Sequence, residues 1–384
     1  MIIGIDARFA LGKRRGIGNY TLHLISYLAK IDQVNQYILY VDRSDEEGIL
    51  PKQHNILVKT LKPRIYPIWE QLILPIQALR DKIDILHCTA NTFPIWNNQK
   101  PKLIVTIHDV MFLKEELKSG SLYQFLGKKY RAFIVKNFSH IPFSIITVSQ
   151  FSKQDLLNTV RKLVPETVFH TYESYDSLFD KSNNYESKAI LKSELGINYP
   201  YILALGATDP RKNTRNIIQV FANLKEKYGI DYRLIIAGIP EANHFIFHDL
   251  ISSLNLQESV LLTGFVSRDI LVALYQCSTI FIYPSLYEGF GIPLLEAMVS
   301  GTPIISSNVT SIPEIVGDAG ILVEPTNLNQ LEASIIKLLS DQSLRLDLID
   351  KGLKRVKKFS WESMAMKTLE IYISTARSKT MSNG

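Results

Sequence analysis

Residues 284–298 read PSLYEGFGIPLLEAM, and the reading of this stretch decides the fold. It overlaps IFIYP (280–284), a short β-branched and aromatic run of strand character, and leads into IPLLEAMVSG, an apolar run of helical spacing. Pro293 suits the first turn of that helix, where its missing N–H is no loss, and Gly301 suits its end. A strand, a glycine-rich exit loop and a helix make the repeating unit of a parallel sheet covered by helices. Two carboxylates stand in it with seven residues between them: Glu288 on the loop and Glu296 about one turn inside the helix. Backbone N–H groups of Gly289–Ile292 point out of the helix N-terminus, and the bare Gly289 and Gly291 let a phosphate come close. A phosphate repels carboxylates, so the two glutamates read as acceptors for hydroxyls on either side of it. A diphosphate flanked by two diols describes a nucleotide sugar. The same residues also admit a plainer reading, because the helix dipole alone favours acids in a first turn.

The alternation extends along all 384 residues. Strand-like runs in the first half are IIGID (2–6), YILYV (37–41), ILVKTL (56–61), ILH (85–87), LIVTIH (103–108) and IITVS (145–149). Helical patterns such as Tyr20–Lys30 and Tyr123–Lys136 lie between them. The second half restarts at YILALGA (201–207) and continues through RLIIAG (233–238), VLLTGF (260–265), IFIYP, PIISS (303–307) and ILVEP (321–325). Helices Asn213–Tyr228 and Ser267–Cys277 intervene, and Leu328–Leu339, Leu344–Phe359 and Glu362–Ala376 follow. A chain of this length divides into two domains, and the polar, strand-free stretch 176–200, with Asp180–Tyr185 as its linker core, marks the division. The expected fold class is therefore α/β: two Rossmann-like, doubly wound parallel-sheet domains facing a cleft, residues 1–180 and 186–361.

Hydrophobic residues make up 46% and charged residues 21%, the balance of a folded globular chain rather than a disordered one. No apolar run approaches the roughly 18–20 residues of a membrane span. The start, MIIGIDARFA, lacks the basic lead and apolar stretch of a signal peptide, so a cytoplasmic location is expected. Cys88 and Cys277 form neither a disulfide framework nor a zinc pattern. The excess of cations behind the net charge of +6 lies in the first half, which fits either a solvated surface or an anionic partner. GKKYRAFIVKNF (127–138) interleaves Lys128, Lys129, Arg131 and Lys136 with Tyr130, Phe133 and Phe138. Together with PRIYPIWEQLILPIQALR (63–80), it suits either a helical core or an anionic membrane surface; no nucleic-acid partner is expected.

Two more strand exits carry candidate residues. GATDPRKNT (206–214) sets Arg211 and Lys212 at the carboxyl edge of the second sheet, as phosphate ligands or as two solvated cations. LIVTIH ends in His108-Asp109, where the histidine can bond a ligand hydroxyl or serve structure alone.

From TGFVSRDI to AGILVEP (263–325) the chain resembles the donor-binding half of the retaining glycosyltransferases of family GT4. The likeness rests on Glu288 and Glu296 at E-x7-E spacing, the Phe290-Gly291 between them, the E-A-M-x-x-G-x-P continuation and PEIVGDAGILV. It covers essentially the whole chain and is densest from about residue 201. The resemblance implies the GT-B fold, with a C-terminal helix (about 362–384) returning to the N-terminal domain. It implies that Glu288 binds the sugar and Glu296 the ribose, and that Val266, Gly289, Phe290, Gly291 and Ile292 line the donor. Arg211 and Lys212 then hold the diphosphate and meet the charge it gains as it leaves. Many family members have Gly-Arg where this chain has Gly206-Ala207, so Arg211 supplies its guanidinium from a different position. RRGIGNY (14–20) corresponds to a glycine-rich loop at which Gly16 and Gly18 admit the donor phosphates, although the same residues also read as a plain helix-entry turn. His108 corresponds to a histidine over the transferred sugar. ITVSQFSKQDL (146–156) brings Ser149 towards the cleft, whereas HTYESYDSLF (170–179) replaces the family's usual N-G-V turn.

The resemblance thus implies Glu288, His108, Arg211 and Lys212 as the catalytic set. With no D-x-D and no Cys/His cluster, it implies transfer without a metal or other cofactor, helix N-termini and cations serving instead. MIIGIDARF…RGIGNYTLHLISYLA resembles the mannosyltransferase-like branch that builds cell-surface polysaccharides such as O-antigen, which makes GDP-mannose the first donor expected. The acceptor expected is a saccharide or lipid-linked oligosaccharide at the inner face of the plasma membrane. A GT-B sugar-nucleotide epimerase and a non-catalytic nucleotide-sugar-binding module remain as alternatives. A dehydrogenase is the weakest, since neither half has G-x-G-x-x-G after its first strand.

Overall fold

The computed structural model describes residues 1–12, 14, 16–95, 101–114, 122–136, 143–160, 163–180 and 184–378. Phe138, from the basic aromatic stretch, lies outside them. The chain forms two compact units: Met1–Glu173 with Ser360–Gly384, and Ser174–Phe359.

The first unit is built on β1 (Ile2–Asp6), β2 (Gln36–Val41), β3 (Ile56–Thr60), β4 (Ile85–Cys88), β5 (Lys102–Ile107), β6 (Phe143–Thr147) and β7 (Val168–His170). All are parallel, in the order β3-β2-β1-β4-β5-β6-β7. In the central register, Ile5 of β1 lies between Leu39 of β2 and His87 of β4. Helices cover the sheet, so its central strands are buried and read as continuous Ile, Val and Leu. β3, at the edge, is mostly exposed and carries Lys59 instead.

The second unit holds β8 (Tyr201–Leu205), β9 (Arg233–Ala237), β10 (Val260–Leu262), β11 (Ile280–Tyr283), β12 (Ile304–Ser307) and β13 (Gly320–Val323). These are parallel in the order β10-β9-β8-β11-β12-β13. In both sheets the strand order reverses beside the first strand, between β1 and β4 and between β8 and β11. Loops leaving such a pair go opposite ways, which is where ligands of doubly wound sheets bind.

The C-terminal helix, Trp361–Arg377, returns to the first unit as the resemblance implies. Trp361 stacks on His23 with ring centroids 4.4 Å apart. Tyr372 reaches the sheet, its hydroxyl 2.6 Å from His87 Nδ1. Lys102 Nζ donates to the carbonyls of Thr375 (2.8 Å) and Ala376 (2.9 Å), neutralising part of the helix's negative end.

Local differences from the sequence reading have simple causes. The stretch 176–200 contains a 3-10 turn, Ser177–Asp180, and a helix, Asn184–Leu195, because Ser187 and Leu191 form a buried i,i+4 face in an otherwise polar run. VLLTGF stops being a strand at Leu262, since Gly264 turns the chain at φ 70°. Residues 66–80 are a continuous helical run whose middle, Trp69–Ile73, is π-helical.

Candidate active site

At the β8/β11 switch point two exit loops are held together by backbone and side-chain bonds. Asp209 caps the turn after β8, accepting from Arg211 N (3.0 Å) and Arg211 Nε (3.0 Å). Asn213 takes a left-handed backbone (φ 58°), which Asn tolerates, and so precedes the helix Thr214–Tyr228. Its side-chain amide donates to the carbonyls of Pro284 (3.1 Å) and Pro325 (2.7 Å), joining the exits of β8, β11 and β13. Leu286 N donates to Arg211 O at 2.8 Å. Lys212 therefore faces the loop after β11, where its Nζ donates to Glu288 Oε1 at 2.6 Å and to the Tyr283 hydroxyl. The phenol in turn donates to Glu288 Oε1 at 2.9 Å.

The titration of these groups follows from burial and charge. Burial alone raises the Glu288 carboxyl, but Lys212 and then Arg211 outweigh it and hold it below the ordinary glutamate range. Burial likewise works against the Lys212 charge, yet Tyr283 and Glu288 keep its proton bound above the usual lysine range. Burial and then Glu288 raise the Tyr283 phenol. At neutral pH the cluster is thus an ammonium, a neutral phenol and a carboxylate.

The loop after β11 is fixed from outside. Ser311 Oγ donates to the carbonyls of Glu288 (3.0 Å) and Phe290 (2.7 Å). Glu288 N donates to Thr310 Oγ1 at 3.3 Å, and Thr310 sits at φ 61°, a left-handed backbone rare for a β-branched residue. Gly291 at φ 116° makes the turn into the helix Ile292–Val299, with Pro293 in its first turn. Phe290 is buried edge-on to Phe359, centroids 5.9 Å apart. Glu296 keeps different company from Glu288. It accepts from the Tyr275 hydroxyl (3.1 Å), and burial pushes its carboxyl up to about 7. Val266 is half-buried on the loop between β10 and the helix Arg268–Cys277, just before its N-cap Ser267.

In the first unit His108 follows β5. Its Nε2 is 3.0 Å from the carbonyl of Thr89, which can only accept, so that nitrogen carries a proton. Nδ1 lies 3.4 Å from Glu173 Oε1, and the Tyr20 ring meets the imidazole edge-on at 4.8 Å. Ser149 caps the helix Gln150–Thr159 by accepting from Ser152 N at 2.9 Å. Gly16 opens the helix Gly16–Ile31 and is exposed. Gly18 is buried, and a Cβ there would lie 2.5 Å from Phe9 O.

The β1/β4 switch point of this unit is filled from within. Arg8 donates through Nε to Asp6 Oδ1 (3.0 Å) and through a terminal nitrogen to Asp6 Oδ2 (2.7 Å) and Glu70 Oε2 (3.2 Å). Trp69 and Tyr66 lie against the guanidinium with centroids at 3.9 and 4.5 Å. Thr92 and Tyr130 donate to the two oxygens of Glu70 at 2.6 and 2.7 Å.

The structure thus brings Lys212 and Glu288 into contact, ties Arg211 to its own turn and gives Glu296 a separate partner. Sequence reasoning missed Tyr283, Tyr275, Asn213 and Glu173. Tyr283 left a trace as the last residue of a strand that feeds the glutamate loop, and Asn213 as the start of the helix after the basic pair.

A family model described as "Glycosyl transferases group 1" matches residues 187–355, and one described as "Glycosyltransferase Family 4" matches residues 14–170. The O-antigen chain mannosyltransferase B of Escherichia coli is 28% identical over 374 residues, spanning 93% of this chain and 95% of that protein. The O-antigen chain mannosyltransferase RfbU of Salmonella typhimurium is 27% identical, spanning 85% and 88%. Sucrose-phosphate synthase from Thermosynechococcus elongatus superposes with a TM-score of 0.75 at 20% identity, over 97% of this chain and 98% of that one.

Proposed function

The chain belongs to glycosyltransferase family 4, and we propose that it moves a hexose, in the first instance mannose from GDP-mannose, to a saccharide or lipid-linked acceptor in O-antigen-type polysaccharide synthesis. The observation that carries this reading is the 2.6 Å pairing of Lys212 with Glu288 at the β8/β11 switch point, beside the N-terminus of the helix Ile292–Val299. Two of the three Lys212 protons go to Tyr283 and Glu288, which leaves one for a phosphate oxygen. Arg211 and the amides of Gly289–Ile292 add positive potential from the same two loops.

The leaving nucleoside diphosphate gains negative charge as the glycosidic bond breaks, so fixed cations and amides stabilise the transition state more than the bound donor. This is the work a metal performs in other transferases, and the proposed reaction proceeds without one. Glu288 accepts from a sugar hydroxyl and Glu296 from the ribose; His108 is assigned to the transferred sugar on family likeness alone. Retention follows from attack on the same face within an ion-pair-like transition state, with no covalent nucleophile assigned.

The proposed location is the inner face of the plasma membrane. No helix among the described residues is long and apolar enough to cross a membrane. The run 66–80 nevertheless leaves Ile68, Leu72, Ile76 and Leu79 exposed at helical spacing. The helix Leu122–Lys136 exposes Phe125, Leu126 and Phe133 among four cations and no acid. Tyr130 joins the two by donating to Glu70. An apolar face with flanking positive charge suits an anionic bilayer.

A panel of GDP-, UDP-, ADP- and dTDP-sugars, scored by thermal shift and then by turnover, tests the donor. Stabilisation by GDP-mannose is expected. A response to UDP-sugars alone discards mannose, and no response to any donor overturns the site. Leu72→Glu with Phe133→Glu should release the protein from phosphatidylglycerol vesicles; unchanged co-sedimentation removes the membrane assignment.

A further inference from the structure

Glu288 and Lys212 are assigned to different ends of the donor, the sugar and the diphosphate, yet they share one phenol. Tyr283 ends β11, is 1% exposed, and stacks on Phe281 with centroids 5.7 Å apart, so its ring is fixed by the sheet. Lys212 Nζ also lies 4.5 Å from the centre of that ring. The hydroxyl has one proton, which goes to Glu288 Oε1 (2.9 Å), and it accepts from Lys212. With Lys212 also donating to Glu288 (2.6 Å), the three groups close a cycle of hydrogen bonds. Residues 71 and 76 apart in sequence from Lys212 thereby set its position.

We propose that Tyr283 is a positioning residue that couples the sugar-binding carboxylate to the diphosphate-binding ammonium, so that the two ends of the donor are gripped as one. The proposal rests on the donor-site reading above. When a sugar hydroxyl arrives at Glu288 it shares the carboxylate with Tyr283 and Lys212, and the phenol holds both in register while Lys212 turns its remaining proton to the phosphate. Without the hydroxyl, the ammonium keeps the face of the ring but has Glu288 as its one remaining hydrogen-bond partner of the two, and follows that side chain where the substrate draws it.

Tyr283→Phe keeps the ring and removes the link. In the full-length enzyme, kcat with the best donor should fall about 10-fold, while affinity for the free nucleoside diphosphate changes less than about 3-fold, because that ligand does not use Glu288. The effects of Glu288→Gln and Lys212→Ala on kcat/KM should overlap in the parent enzyme and overlap less in the Tyr283→Phe background, where only the direct 2.6 Å contact still couples them. A second readout needs no donor. The 13C shift of the Glu288 carboxyl, followed against pH, should titrate higher in Tyr283→Phe than in the parent, since the carboxylate loses a donor. A thermal melt checks that the variant is folded. Unchanged kinetics together with an unchanged Glu288 titration overturn the proposal. A moved titration with no response to any nucleotide sugar retains the coupling and removes the donor-site reading.

Discussion

The two units share a strand order but treat their switch points in opposite ways. At β1/β4 the cation Arg8 is enclosed by Asp6 and Glu70, all three side chains 5% exposed or less, under the rings of Trp69 and Tyr66. At β8/β11 the cation Lys212 and its partner Glu288 keep 20% and 12% exposure. The first arrangement spends every charge inside the protein. The second leaves an ammonium and a carboxylate partly open to solvent. Topology fixes where a site can be, and the length and caps of the loops decide whether it is one.

If that contrast holds, damage to the two cations should separate cleanly. The largest effect belongs to the open pair. Glu288→Ala and Lys212→Ala should each lower turnover at saturating donor by ~10²-fold or more, with a smaller loss of stability than Arg8→Ala because the pair is less enclosed. Near-normal turnover in either variant breaks the contrast on the catalytic side. Next, Arg8→Ala strands Asp6 and Glu70 in the core and should cost about 3–5 kcal/mol by denaturant titration. A variant that stays as stable as the parent breaks it on the structural side.

The smallest effect sharpens it by pH. Burial keeps the Glu296 proton bound up to about 7, against 4.5 for an ordinary glutamate. Between those values the native state holds the extra proton, so this group's contribution to stability is greatest at low pH and is lost as pH rises to about 7. Donor affinity should move oppositely, strengthening several-fold from about pH 6 to about pH 8 as the carboxyl ionises and becomes the stronger acceptor for the proposed ribose contact. Calorimetric titration of the nucleotide at several pH values checks the slope. Glu296→Gln should flatten it, and a slope that survives the substitution rules out Glu296 as its source.

The strands and the helix Ile292–Val299 were legible because their signals are local: β-branched runs, Pro293 in the first turn and Gly301 beyond the end, found at φ 73°. Ser267, read as the start of a helix, proves to be its cap. The helix Asn184–Leu195 was less legible because only one narrow face is buried. The partners of Lys212 could not be read at all. A hydrogen bond to Tyr283 depends on β8 and β11 lying side by side, and nothing local to residue 212 records that. Gly18 teaches the converse: a glycine in a phosphate-loop context is explained by the Phe9 carbonyl beneath it. For Ser149, the helix N-cap accounts for the residue without a ligand.

The return of Trp361–Arg377 to the first unit also dictates an order of assembly. His87, in the middle of the first sheet, has its two nitrogens bonded to Thr106 and to Tyr372, a residue translated 285 positions later. The interior of the first sheet is therefore sealed only once a helix 285 positions further along the chain has been made. Cutting the gene at the boundary between the units would yield a second unit able to close on itself and a first one left with an open seam.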